Sequence, residues 1–146
     1  MVVLEPPGRL SPRSPRAGRL RRRGAPDTAT HDAVTLHSTA LACRGEVCPT
    51  GPGFIEVVLD HLPDSELKAR ARAALTLGAE VPIARVVATL GNGSNISAQD
   101  TPALVLWCAS QHPEDFERAL WLAVSALGDR DTTCAMVGGI VACARP

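Results

Sequence analysis

Near the end of this 146-residue chain, two aspartates flank an arginine in the run Gly128-Asp129-Arg130-Asp131-Thr132-Thr133. Carboxylates at alternate positions, directly after a helix-ending glycine and before an apolar run of small residues, can project from one tight turn toward one point. With the neighbouring hydroxyl they form an oxygen-rich group, the donor chemistry that suits a hard cation such as Mg²⁺ or Mn²⁺. A purely structural role competes: Asp131 or Thr132 could cap a final helix over 133–144, while Asp129 satisfies the preceding turn. Three features favour the cation. The turn is held between two helices, both carboxylates and a hydroxyl fall within four residues, and Gly138-Gly139 lets the last helix approach a neighbour closely, which helps to fix ligand geometry.

Two known uses of such aspartates fail on spacing. A calcium-binding EF-hand loop needs a carboxylate at its twelfth position, and counted from Asp129 that position is Ile140. Asp129, Asp131 and Thr133 also match the Asp-x-Asp-x-Thr pattern of haloacid dehalogenase phosphatases. There the motif ends a strand near the start of the fold, whereas a helical stripe precedes it here and little chain follows.

The elements that must position this turn read as short helices. Phe54, Val57, Val58 and His61 or Leu62 follow a 3,4 spacing that Pro63 stops. Asp64-Ser65 offers a cap for a helix over 66–77 with Leu67, Ala71, Ala74 and Leu75 on one face, and Gly78 suits its end. Pro82 starts 83–90, which Gly91 ends. The polar loop Gly91-Asn92-Gly93 to Asp100 lacks the third glycine and the preceding strand of a dinucleotide site. Thr101-Pro102 then caps and opens 103–110. Pro113 opens another helix, with Glu114 and Asp115 at its positive end and Phe116, Leu120, Val124 and Leu127 as its core stripe. Five or six helices and no convincing strand define an all-α fold, a compact bundle of short helices. With two Phe, two Trp and no Tyr, its core must be aliphatic and rich in alanine.

The formal net charge of zero hides a division, because residues 1–26 hold seven Arg and one Glu. Five of the twelve prolines fall in the same stretch, so residues 1–30 read as a disordered Arg/Pro-rich arm, 31–50 as a linker and 51–146 as the helical domain. The arm lacks the interleaved aromatics of a nucleic-acid reader, which makes nucleic acid an unlikely partner. Cys43 and Cys48 with His31 and His37 lack zinc-finger spacing, and the five cysteines, odd in number and scattered, read as buried free thiols of a reducing compartment. No apolar run approaches membrane-spanning length, and the arginine-rich start is not followed by a signal-peptide apolar core. A cytoplasmic protein without a membrane partner is expected.

The turn and the small-residue helix through Gly138-Gly139-Ile140-Val141, preceded in order by Gly91-Asn92-Gly93, Asp100-Thr101-Pro102, Leu106-Trp107 and Phe116-Glu117-Arg118-Ala119-Leu120, resemble the C-terminal part of the ADP-ribosylglycohydrolases over about residues 51–146. The resemblance implies an all-α fold with a two-metal Mg²⁺ or Mn²⁺ centre that hydrolyses the glycosidic bond between ADP-ribose and a protein side chain. It assigns metal ligation to Asp129, Asp131 and Thr132, and leaves Arg130 pointing outward. It names an ADP-ribosylated protein or ADP-ribose as the partner. The family's Gly-Asp-Ala-like turn, Thr-Asp-Asp ligand cluster and catalytic acid have no counterpart in residues 1–50, so no catalytic residue is assigned. A truncated member, inactive on its own, is expected. The alternative is a non-catalytic helical interaction module with a basic arm, self-associating through apolar faces left uncovered.

Overall fold

The computed structural model describes residues 51–94 and 100–144, and the arm and linker expected over 1–50 lie outside them. Among the described residues the fold is all-α: α1 Pro52–Asp60, α2 Glu66–Leu75, α3 Ile83–Leu90, α4 Pro102–Gln111, α5 Phe116–Ser125 and α6 Arg130–Cys143. None of these helices is long and apolar enough to cross a membrane.

Local chemistry accounts for most of the boundaries. Ser65 caps α2 by accepting a hydrogen bond from the Lys68 amide at 3.2 Å, and Asp115 caps α5 by accepting from the Arg118 amide at 3.0 Å. Proline occupies the first turn of α1 and α4, where its missing N–H costs nothing. Two ends depart from expectation. Helix α2 stops at Leu75 with Thr76 as its C-cap, so Gly78 ends nothing. Helix α5 starts after Asp115 rather than at Pro113, because the Asp115 carboxylate supplies the cap that Pro113 lacks.

Helix α4 organises the fold. Every residue from Pro102 to Ser110 is buried, and α4 packs against all five other helices. The sequence Ala103-Leu104-Val105-Leu106-Trp107-Cys108-Ala109 is apolar on all sides, the pattern of a helix surrounded by others rather than lying on a surface. Leu104 and Leu106 are fully buried, and each such side chain stabilises the fold by roughly 1.5–3 kcal/mol. Trp107 is buried as well, its indole Nε1–H donating to the Leu77 carbonyl at 2.9 Å, so its one polar atom is satisfied. Phe54, Val58, Leu62, Leu67, Ala71 and Ala74 join the core as their spacing indicates.

The stripe expected on α5 is displaced. Ala119, Ala123 and Ala126 are the buried residues there, whereas Leu120 and Val124 are half-buried, Phe116 borders on exposed and Leu127 is 61 % exposed. Alanine lets the α5 backbone approach its neighbours, and the larger side chains flank that seam. Gly138 of α6 faces the flanking Phe116 and Leu120, where a Cβ would stand at an ordinary contact distance of 3.6 Å, and Gly139 faces open space. Neither member of the glycine pair is therefore required for a close approach, contrary to the expectation from sequence.

Cys108 and Cys134 are free thiols, the first buried and the second half-buried. Burial, with Cys134 beside it, pushes the Cys108 thiol up to about 12, which keeps it protonated and inert. Cys143 departs from the expectation of free thiols throughout, being disulfide-bonded.

The alanine seam has a direct consequence for stability. Ala123→Leu should cost about 1–3 kcal/mol through overpacking, whereas Trp121→Gln, on a side chain 66 % exposed, should stay within about 0.5 kcal/mol. Chemical denaturation of both variants checks the assignment, and the reverse ranking would restore the large residues of α5 to the core.

Candidate functional site

The oxygen-rich turn is the N-terminus of α6. That helix begins at Arg130, three residues before the expected start, because Asp129 rather than Asp131 or Thr132 is its cap. Asp129 Oδ1 accepts from the Thr132 amide at 3.3 Å, and the Asp129 carbonyl accepts from the Thr133 hydroxyl at 2.7 Å. Asp131 and Thr132 consequently occupy the first turn, exposed, while Thr133 turns into the core. Hydrogen bonds from the Thr132 hydroxyl and amide hold the Asp129 carboxyl below its ordinary range, with the Asp131 side chain as a further neighbour. Asp129, Asp131 and Thr132 thus share the N-terminal turn of α6. Arg130 projects into solvent, as the alternation of the turn implies.

The loop after α3 holds this turn from the other side. The Asn92 carbonyl accepts from the Asp129 amide at 3.1 Å, and Asn92 Nδ2 donates to the Ala126 carbonyl at 2.9 Å. Asn92 Oδ1 also accepts from the Ser94 amide at 3.2 Å, which shapes the loop itself. One residue therefore satisfies an orphan carbonyl at the end of α5 and the amide of the cap of α6. The approach is close enough to require glycine on both sides. Gly128 has φ 66° and any Cβ there would collide with Asn92; a Cβ on Gly93, at φ 77°, would stand 2.8 Å from both Asp129 Cβ and Thr101 Oγ1. Leu127 is the one non-glycine residue of positive φ among those described, at 59°, and it adjoins this contact.

Asp100 closes the base of the same loop. Its carboxylate lies against Gly91, is buried, and meets the Arg70 guanidinium of α2 at 3.3 Å. Arg70 also reaches Glu66 at 2.9 Å. Thr101 precedes α4 as expected, but its hydroxyl makes no capping bond. Sequence reasoning used Asn92 and Asp100 only as landmarks. The signal that could have promoted them was an asparagine between two glycines and an acid directly before a buried helix.

The donor set fits a hard cation in kind: two carboxylates and a hydroxyl, one carboxylate held deprotonated. It is small in number, and among the described residues no group of three or more His, Cys, Asp or Glu could hold a metal ion. A groove lies elsewhere, between α1 and α2 beside Glu56, Asp60, Lys68 and Arg72.

A bundle wrapped on one buried helix, with an acidic helix N-terminus clamped by a Gly-Asn-Gly loop, defines the class of domain. The family model described as ADP-ribosylglycohydrolase matches residues 15–145, and the chain belongs to that family. The match begins well upstream of residue 51, where the resemblance read from motifs starts. No curated protein and no solved structure gives a significant match.

The clamp yields opposite expectations for two neighbours. Leu127→Gly should raise stability by up to about 1 kcal/mol, because glycine carries no penalty at positive φ. Gly93→Ala should lower it by more than about 1 kcal/mol, the added methyl meeting Asp129 and Thr101. Thermal melting of the two variants decides, and a destabilised Leu127→Gly would mean that the exposed leucine contributes packing the turn needs. Acid should weaken the cap as well. The Asp129 carboxyl titrates lower when folded than unfolded, so its contribution is present above the ordinary carboxylate range and lost as pH falls through the folded value.

Proposed function

We propose that this chain supplies the C-terminal part of a metal-dependent ADP-ribosylglycohydrolase centre, with Asp129, Asp131 and Thr132 as ligands to Mg²⁺ or Mn²⁺. What supports the reading is the placement of these three oxygen-bearing residues on the clamped N-terminal turn of α6, in a chain that belongs to this family. Such a cation, when bound, polarises ribose hydroxyls or a water near the glycosidic bond between ADP-ribose and a protein side chain. The chain's own share is positional. Asp129 directs one carboxylate oxygen into the helix cap, Asn92 fixes the height of Asp129 through its amide, and Thr132 presents a hydroxyl beside the carboxylates. Three side-chain oxygens leave an octahedral cation dependent on water or on donors outside the described residues. The described domain is therefore inactive on its own, as a truncated member would be.

A second reading rests on two exposed apolar side chains, Trp121 of α5, 66 % exposed, and Leu127 just after that helix, 61 % exposed. In that reading the helical domain is a non-catalytic interaction module, and light scattering would show self-association that Trp121→Gln abolishes.

The cation assignment is tested by titrating the full chain with Mn²⁺. Asp129→Asn and Asp131→Asn should each weaken binding by at least about tenfold, the scale found even for residues that only orient ligands. Equal affinities would remove the metal from the reading. Arg130→Thr should act in the opposite direction, strengthening Mn²⁺ binding severalfold, because it removes a like charge from between the two ligands. Release of ADP-ribose from a modified protein by residues 51–146 at a rate typical of an enzyme would show that the donor set is sufficient.

A further inference from the structure

We infer that Arg70 and Asp100 are positioning residues for the cation turn, acting through the Gly91-Asn92-Gly93 loop, although neither belongs to the turn. The inference rests on the metal reading above for its consequence and on geometry for its path. Asp100 is 2 % exposed, and its guanidinium partner comes from a helix 30 residues earlier in the chain. Its carboxylate stands where a side chain at Gly91 would go, so Asp100 sets how near the start of the loop can come to α4. The next residue, Thr101, brings its hydroxyl to the face of Gly93 that Asp129 Cβ approaches from the other side. Between those contacts Asn92 holds the Asp129 amide and the Ala126 carbonyl. A shift of Asp100 therefore moves the loop, and a shift of the loop moves Asp129.

Energetics agree with a positioning role. The pair joins a buried carboxylate to a half-buried guanidinium, so it contributes little net stability, but removing Arg70 would leave the Asp100 charge buried and without this partner. Its geometric effect is larger. The guanidinium is a rigid fork, divided here between Glu66 at 2.9 Å and Asp100 at 3.3 Å, so it fixes the acid relative to α2 more tightly than an ammonium would. Two helices far from the turn in sequence thereby define its height.

The experiment compares the full chain with Asp100→Asn, Arg70→Lys and Asp129→Asn by Mn²⁺ titration and by amide NMR without metal. Asp100→Asn retains size and hydrogen-bonding capacity, and Arg70→Lys retains charge but not the fork, so each should fold. The expected result is a shift of the Asp129 and Thr132 amide signals in both variants, with Mn²⁺ affinity reduced at least about threefold at a temperature well below melting. Unmoved Asp129 and Thr132 signals in a folded Asp100→Asn protein would overturn the inference. If Asp129→Asn abolishes Mn²⁺ binding while Asp100→Asn leaves it intact, the positioning role is overturned and the metal reading stands. If Asp129→Asn leaves binding unchanged, the metal reading falls, and the amide signals still decide whether the pair positions the turn.

Discussion

The arrangement of the site depends on one close approach, the seating of Asn92 between the end of α5 and the start of α6. A helix that ends and a helix that begins within five residues leave carbonyls and amides without intrahelical partners. Asn92 satisfies one of each, at Ala126 and at Asp129, with its side-chain amide and its own carbonyl. Peptide groups cannot come this near past a Cβ, so Gly128 and Gly93 are obligatory neighbours rather than general sources of flexibility. The direction in which α6 leaves the turn, and with it the placement of Asp131 and Thr132, follows from that contact.

This explains what could be read from the sequence. Features that depend on covalent neighbours were legible: Ser65 starts α2, Pro102 opens α4 and Gly91 ends α3. The ordered motif pieces were legible too, and the fold turns their order into adjacency. The Gly-Asn-Gly loop, Asp100-Thr101 and the Asp129 turn, separated along the chain, touch one another. What escaped was set by through-space distance. On α5 a 3,4 spacing exists both for the large residues and for Ala119, Ala123 and Ala126, and hydrophobicity alone favours the large set. The small set is nonetheless the one that faces inward, and the large residues flank it. The early start of α6 escaped for a related reason: Asp131 and Thr132 were equally able to cap it by type, whereas Asp129, whose amide Asn92 holds, is the residue that does.

Positioning of the turn is distributed accordingly. Helix α4 carries Asp100 and Thr101 at its head and fills the core with the rest of its length, so core packing and site geometry share one element. A change deep in α4 shifts the base of the loop, whereas a change on the outer face of α5 does not. Trp121 illustrates the second case, its indole in solvent and its N–H beside Glu117 at 3.4 Å, too long and too exposed to transmit anything to Asp129.

The location at a helix N-terminus also constrains how the turn can treat a cation. The unpaired amides there carry the equivalent of roughly half a positive charge, which attracts carboxylates and repels a metal ion. In the proposed reading the aspartates must do more than ligate: one is partly used by the helix, through the Thr132 amide, and their combined charge must outweigh the helix end before any ion is attracted. Arg130 works against them, placing a full positive charge between the two at the first helical position. Its exposure limits the effect through solvent screening, but within a Debye length of about 8 Å its sign still opposes cation binding. The balance makes the electrostatics of the turn sensitive to single substitutions, since three of its four consecutive side chains, Asp129, Arg130 and Asp131, are of charged type and only Thr132 is not. A turn so balanced holds an ion firmly only when donors beyond this helix N-terminus add to the negative side.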